Sequence, residues 1–159
     1  MADTALVEVP TDREIQERVT ILRRLRETLS AQREKFRNYL ALLEKEEEII
    51  RKGDIERLES QVEVEQSIIS DIFKLQRAMR PLDVLYRKAY PMREKSIANL
   101  ESSLENVKKR VLVKNEKNRL LLKEKMALLR QEIKELRSGY SMKSPFKEIG
   151  TPTLVDIST

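Results

Sequence analysis

Glu46, Glu47 and Glu48 are adjacent, and Glu44 lies one helical turn before Glu48; no other groups in this chain are so densely placed to move a proton or hold a cation. On a helix, residues 44 and 48 share a face, so that pair could act together. Little else in the chain could assist them. It has no His and no Cys, which removes the imidazole base, the thiolate nucleophile, the zinc finger and the disulfide. Its glycines, at 53, 139 and 150, cannot form either phosphate-binding glycine motif. Nothing apolar encloses the glutamates in the sequence, and solvent-facing helix charges are far commoner than working carboxylate pairs. No catalytic, cofactor or metal site is therefore assigned, and the chain is read as a non-enzyme.

The elements that carry these residues follow from composition and punctuation. A length of 159 residues allows one domain, and 37% charged against 4% aromatic residues is the balance of long helices and coiled coils. The first ten residues are acidic and lack the plan of a signal peptide, and no apolar run nears the length of a membrane span. A cytoplasmic location is expected. Residues 11–52, 54–80 and 92–138 contain neither Gly nor Pro. The expected fold is all-α: an elongated antiparallel bundle or coiled coil of three main helices over these ranges. Residues 1–10 form an N-terminal extension and 139–159 a flexible C-terminal tail.

Helix one should open at Thr11-Asp12-Arg13-Glu14, a Thr-x-x-Glu capping box. Its seam is Ile15, Leu22, Leu29, Phe36, Leu43 and Ile50, a strict seven-residue repeat. A companion seam is weaker, with Val19 and Leu40 in one register and Leu25 and Tyr39 one residue earlier. Gly53-Asp54 supplies a left-handed cap for one helix and an N-cap for the next, favouring antiparallel neighbours. Pro81 and Pro91 bracket 82–90, a helical extension or a short turn. Helix three should begin near Pro91. Ile97, Leu100, Leu104, Val107 and Val111 form its seam, which resumes eleven residues later at Leu122 and runs through Met126, Leu129, Ile133 and Leu136. Packing should loosen or change partner at that step. Gly139 is expected to end the helix.

Charge is unevenly spread. Residues 44–65 hold nine acidic and four basic side chains; 108–125 hold eight basic and two acidic. The favoured reading is mutual compensation within one bundle. A basic isoelectric point near 9.4 raises nucleic acid as a partner, but no stacking module or helix-turn-helix spacing accompanies it. The basic stretch also lacks the bulky aromatic face of a membrane-surface helix.

Leu42-Leu43-x-x-Glu46, the Gly53-Asp54-Ile55-x-x-Leu58 junction and Asn115-x-x-Asn118-x-x-Leu121-Leu122 resemble the FlgN family of flagellar type III export chaperones over residues 15–140. Family members often carry Lys in the middle of helix two, where this chain has Glu65-Gln66. The resemblance implies a cytoplasmic helical chaperone. Its clients would be the terminal helices of hook-filament junction (hook-associated) proteins, protected from premature assembly and presented to the cytoplasmic domain of the export gate, FlhA. It implies client contact in the carboxy-terminal half, mapped here to Asn115, Asn118, Leu121, Leu122, Met126, Leu129 and Ile133.

The residues themselves leave alternatives beside this. The wide stripe of 121–133 suits a client groove, with an adaptable Met, or a core face packed on helix one. Asn115 and Asn118 can set register or bond a client. Tyr140 can dock into a partner or cap the bundle end; with Phe146 in the tail it is the expected gate contact. The apolar tail residues suit a recognition segment or one that folds back. Rival readings are a FliJ- or FliT-like coiled coil coupling to the export ATPase, and a structural scaffold. Heptads fit a monomeric hairpin and a homodimer alike.

Overall fold

The computed structural model describes residues 9–90, 92 and 94–142, with only the backbone described for 140–142. Helix α1 runs Asp12–Lys52, α2 Ile55–Ala89 and α3 Lys95–Met142; the described residues are all-α. The capping box forms as expected. Thr11 Oγ1 accepts the Glu14 amide at 3.3 Å, and Glu14 Oε2 accepts the Thr11 amide at 2.8 Å, so two otherwise unpaired donors are satisfied reciprocally. Gly53 stops α1 at φ 70, a left-handed conformation that strains any residue with a Cβ. One residue later Asp54 accepts the Arg57 amide at 3.2 Å and starts α2.

Three boundaries differ from expectation. Helix α2 does not end at residue 80 but continues through Pro81 to Ala89. An interior proline costs about 3 kcal/mol through its missing N–H and its ring. Burial on its far side offsets this: Leu82 and Tyr86 pack with Leu25, Leu29 and Ile97. Helix α3 begins at Lys95 rather than near 92, with the Glu94 carbonyl accepting the first helical amide, that of Ala98, at 3.1 Å. Gly139 does not end α3. Gly53 is the one glycine among the described residues with positive φ, and a helical glycine costs only about 1 kcal/mol relative to Ala.

The three helices run up, down, up. Lys35 pairs with Asp71 at 2.9 Å and Gln61 reaches the Leu42 carbonyl, which sets α2 antiparallel to α1. Arg26 binds Glu94 and Ser96, while Asn118 reaches the Leu43 carbonyl, which sets α3 parallel to α1. The backbone of α1 lies close to both others, whereas those of α2 and α3 do not approach each other as closely. Two apolar clusters fill the interior. One is built on Leu25, Leu29, Tyr86, Ile97 and Leu104, the other on Tyr39, Leu40, Leu43, Ile72, Val107 and Val111, and Phe36 packs against both. The companion seam of α1 is now plain. It is Leu25, Gln32, Tyr39 and Glu46, three or four residues out of step with Leu22, Leu29, Phe36, Leu43 and Ile50. Ile15 and Val19, by contrast, are exposed on the first turns of α1.

Candidate functional site

The adjacent glutamates do not converge. Successive helix positions point about 100° apart, so each meets a different neighbour. Glu46 lies half-buried near Glu65 of α2. Burial and then the Glu65 charge raise its pKa above the ordinary carboxylate value, and the Asn118 amide pulls the other way. Glu47 faces α3, where it pairs with Lys114, with Lys117 at 3.6 Å, and with Arg51 of its own helix at 2.9 Å. The Lys114 and Arg51 hydrogen bonds hold its pKa down to about 2. Glu48 is exposed and pairs with Lys52. Among the described residues no group of three or more acidic side chains is placed to hold a metal. The compensation expected between the acidic and basic stretches is seen at Glu47 and its two lysines.

A polar layer sits beside these carboxylates. Gln61 Nε2 from α2 donates to the Leu42 carbonyl, and Asn118 Nδ2 from α3 donates to the Leu43 carbonyl, each at 2.7 Å. Tyr39 donates to Glu65 at 2.6 Å; burial, then this bond, pushes its phenol pKa upward. Two amides from opposite flanks thus grip consecutive carbonyls of α1. A slip of either helix would strand a buried amide, so the layer fixes register on both sides. Asn118 is 1% exposed, which corrects its expected part in client contact: its side chain is committed to the bundle. Asn115, three residues earlier, faces solvent.

The step in the α3 seam has the same origin. Val111 to Asn118 is seven residues and Asn118 to Leu122 is four, so the buried asparagine fills the gap that hydrophobicity alone leaves blank. Beyond it the bundle stops. Ile50 is the last buried residue of α1, Leu121 and Leu122 are half-buried, and every described side chain of α3 from 123 to 139 is exposed. Roughly twenty residues, about 30 Å of helix, project past the α1–α2 turn.

That projection is not polar. Met126 is 47% exposed, Leu129 51%, Ile133 43% and Leu136 65%. At 100° per residue they fall on the same face as Ile97, Leu104, Val107 and Val111. The face that α3 buries against the bundle therefore continues as an apolar stripe after its cover has ended. At its root lies a cleft of about 390 Å³, with Ile50, Ile55 and Leu58 of the α1–α2 turn on one side and Leu122, Met126 and Leu129 on the other. The structure thus brings Leu122, Met126, Leu129 and Ile133 onto one accessible face and removes Asn118 from it. Leu121 sits at the edge of the bundle, off the stripe. Tyr140 lies in the last turn of α3, its side chain outside the described residues, as is the whole of Phe146.

Over 149 aligned residues, 93% of this chain and 96% of the relative, the sequence is 34% identical to an uncharacterized protein of Treponema pallidum (strain Nichols). The chain belongs to that protein's family. No family model matches the chain, and no solved structure matches it. Among the described residues no helix is long and apolar enough to cross a membrane.

Proposed function

We propose that the chain is a cytoplasmic export chaperone of the FlgN type, holding the terminal amphipathic helices of flagellar hook-filament junction proteins until export. The observation that carries this reading is the uncovered apolar stripe of α3, continuous with the core face and rooted in the cleft at the α1–α2 turn. A helix laid on that stripe would extend the bundle by one more partner, the helix-in-groove mode of recognition. Met126 suits a surface that must adapt to a client and release it. The Asn-x-x-Asn-x-x-Leu-Leu string lies where α3 leaves the bundle, so the residues behind the resemblance also mark the start of the stripe. Asn118 contributes by register and the leucines beyond it by contact. No covalent step is involved; the client is handed over where the cytoplasmic domain of FlhA competes for the complex. Tyr140 and Phe146 are assigned to that docking from their place at and beyond the end of the helices.

Calorimetric titration with the carboxy-terminal helix of the junction protein from the same organism tests the assignment. Saturable binding near one to one, kept by a chain ending at Arg137 and lost in Leu129→Lys/Ile133→Lys, is expected. No heat and no co-elution at tens of micromolar would overturn it and leave an ATPase-coupling or scaffold coiled coil as the better reading.

A further inference from the structure

The projecting part of α3 has a finer pattern than an apolar stripe. Leu122, Leu129 and Leu136 recur every seven residues with Met126 and Ile133 between them. This is the a/d pattern of a two-stranded coiled coil, with Met and Ile at a and Leu at d. Two apolar positions per heptad make a narrow seam that one partner helix covers. The residues following the d leucines, at the e positions, are Lys123, Arg130 and Arg137. All three are exposed, and among the described residues none takes part in an ion pair. The opposite edge is mixed, with Lys125 and Glu132. The seam therefore has one continuous cationic border, with no ion-pair partner for it among the described residues.

We propose that the projecting α3 takes a single amphipathic helix bearing a row of Glu or Asp along the edge that meets Lys123, Arg130 and Arg137. The proposal rests on the helix-docking reading of the same stripe and adds the charge of the partner. A second copy fits less well. Antiparallel self-pairing sets e against e, cation against cation. Parallel self-pairing matches Glu132 with Arg137 but opposes Lys125 to Arg130, so attraction and repulsion cancel. The segment 143–159 carries acids only at Glu148 and Asp156, eight positions apart, which is no row. An acidic row meets all three cations at once. The apolar seam supplies the contact, and the border selects among helices that would otherwise bind alike.

The test uses the full-length chain and two designed three-heptad helical peptides with the same Leu/Ile seam, one flanked by Glu and the other by Lys. Fluorescence anisotropy should show the Glu peptide binding at least about tenfold tighter than the Lys peptide at low salt, with the gap narrowing as salt is added. Lys123→Glu/Arg130→Glu/Arg137→Glu, all exposed changes, should reverse the preference while leaving helical circular dichroism unchanged. Equal binding of both peptides, unmoved by the triple reversal, would overturn the charge selection and leave helix docking intact. Failure of both peptides, in the wild type and the reversed chain alike, would overturn docking itself. A dimer in sedimentation that dissociates on Leu129→Lys/Ile133→Lys would show that a second copy covers the seam, and would overturn the acidic partner.

Discussion

Truncating one leucine inside the bundle and one on the projecting stripe measures what each contributes to folding. Leu43 has no exposed surface, whereas Leu129 is 51% exposed. Leu→Ala removes about three carbons, roughly 2.4 kcal/mol of transfer energy at about 0.8 kcal/mol each. At Leu43 the surrounding Tyr39, Ile72, Val107 and Val111 close only part of the space, so the total cost rises to about 3–4 kcal/mol. At Leu129 half the side chain is already in water, and a Cβ-only residue is a better helix former, so the cost stays below about 1 kcal/mol. With a urea slope of roughly 2 kcal/mol/M, Leu43→Ala lowers the midpoint by about 1.5–2 M and Leu129→Ala by less than about 0.5 M. Urea titrations followed by helical circular dichroism, at two protein concentrations, make the comparison. A Leu129→Ala cost near that of Leu43→Ala, or one that depends on protein concentration, would refute the uncovered stripe, since only a covered leucine behaves that way.

Adjacent glutamates should respond to pH in opposite senses. The folded-state pKa of Glu46 is raised, so its charged form opposes folding: Glu46→Gln should raise the urea midpoint at neutral pH, an advantage that shrinks as pH falls through the raised value and vanishes below the ordinary one. The folded-state pKa of Glu47 is depressed to about 2, so its contribution is full above the ordinary carboxylate value and lost as pH falls toward 2; Glu47→Gln should be destabilising at neutral pH and converge with wild type in acid. Thr11→Ala removes the capping box and should cost about 1 kcal/mol, seen as faster hydrogen exchange in the first turns of α1 rather than a global loss, because Ile15 and Val19 there are exposed. Asn118→Leu exchanges a buried amide for an apolar side chain of similar size; stability should hold within about 1 kcal/mol, while sharp amide resonances give way to several registers in heteronuclear spectra.

The parts of the fold legible in the sequence are those governed by local chemistry. Thr11 with Glu14, and Gly53 with Asp54, act through bonds to their own neighbours, so their spacing sufficed. Seams were legible where every member is apolar. The second seam of α1 was obscured because Gln32 and Glu46 occupy two of its positions, and the tertiary partners that make those positions interior lie on other helices. Pro81 and Gly139 show the same limit: each has an unfavourable helix propensity, but propensity yields to packing at Tyr86 and is too small to matter at Gly139. For the candidate site, the stripe of 122–136 was readable as apolar, but not as exposed. Exposure depends on where α1 and α2 stop relative to α3, and that offset is set by Gln61 and Asn118 gripping the Leu42 and Leu43 carbonyls.

The parallel pairing of α1 with α3 also dictates an order of assembly. The contacts between α1 and α2 nearest their turn close over short stretches, 19 residues for Gln61 with Leu42 and 36 for Asp71 with Lys35. Those between α1 and α3 span 67 to 75. Closing the longer loop costs more chain entropy and is slower, so the α1–α2 hairpin forms first and offers α3 a ready template. Pulsed hydrogen exchange during refolding should protect α2 amides before those of α3. On the ribosome the stripe is made after α1, α2 and the buried part of α3, so every residue that the bundle needs to close is already present when the uncovered apolar face emerges.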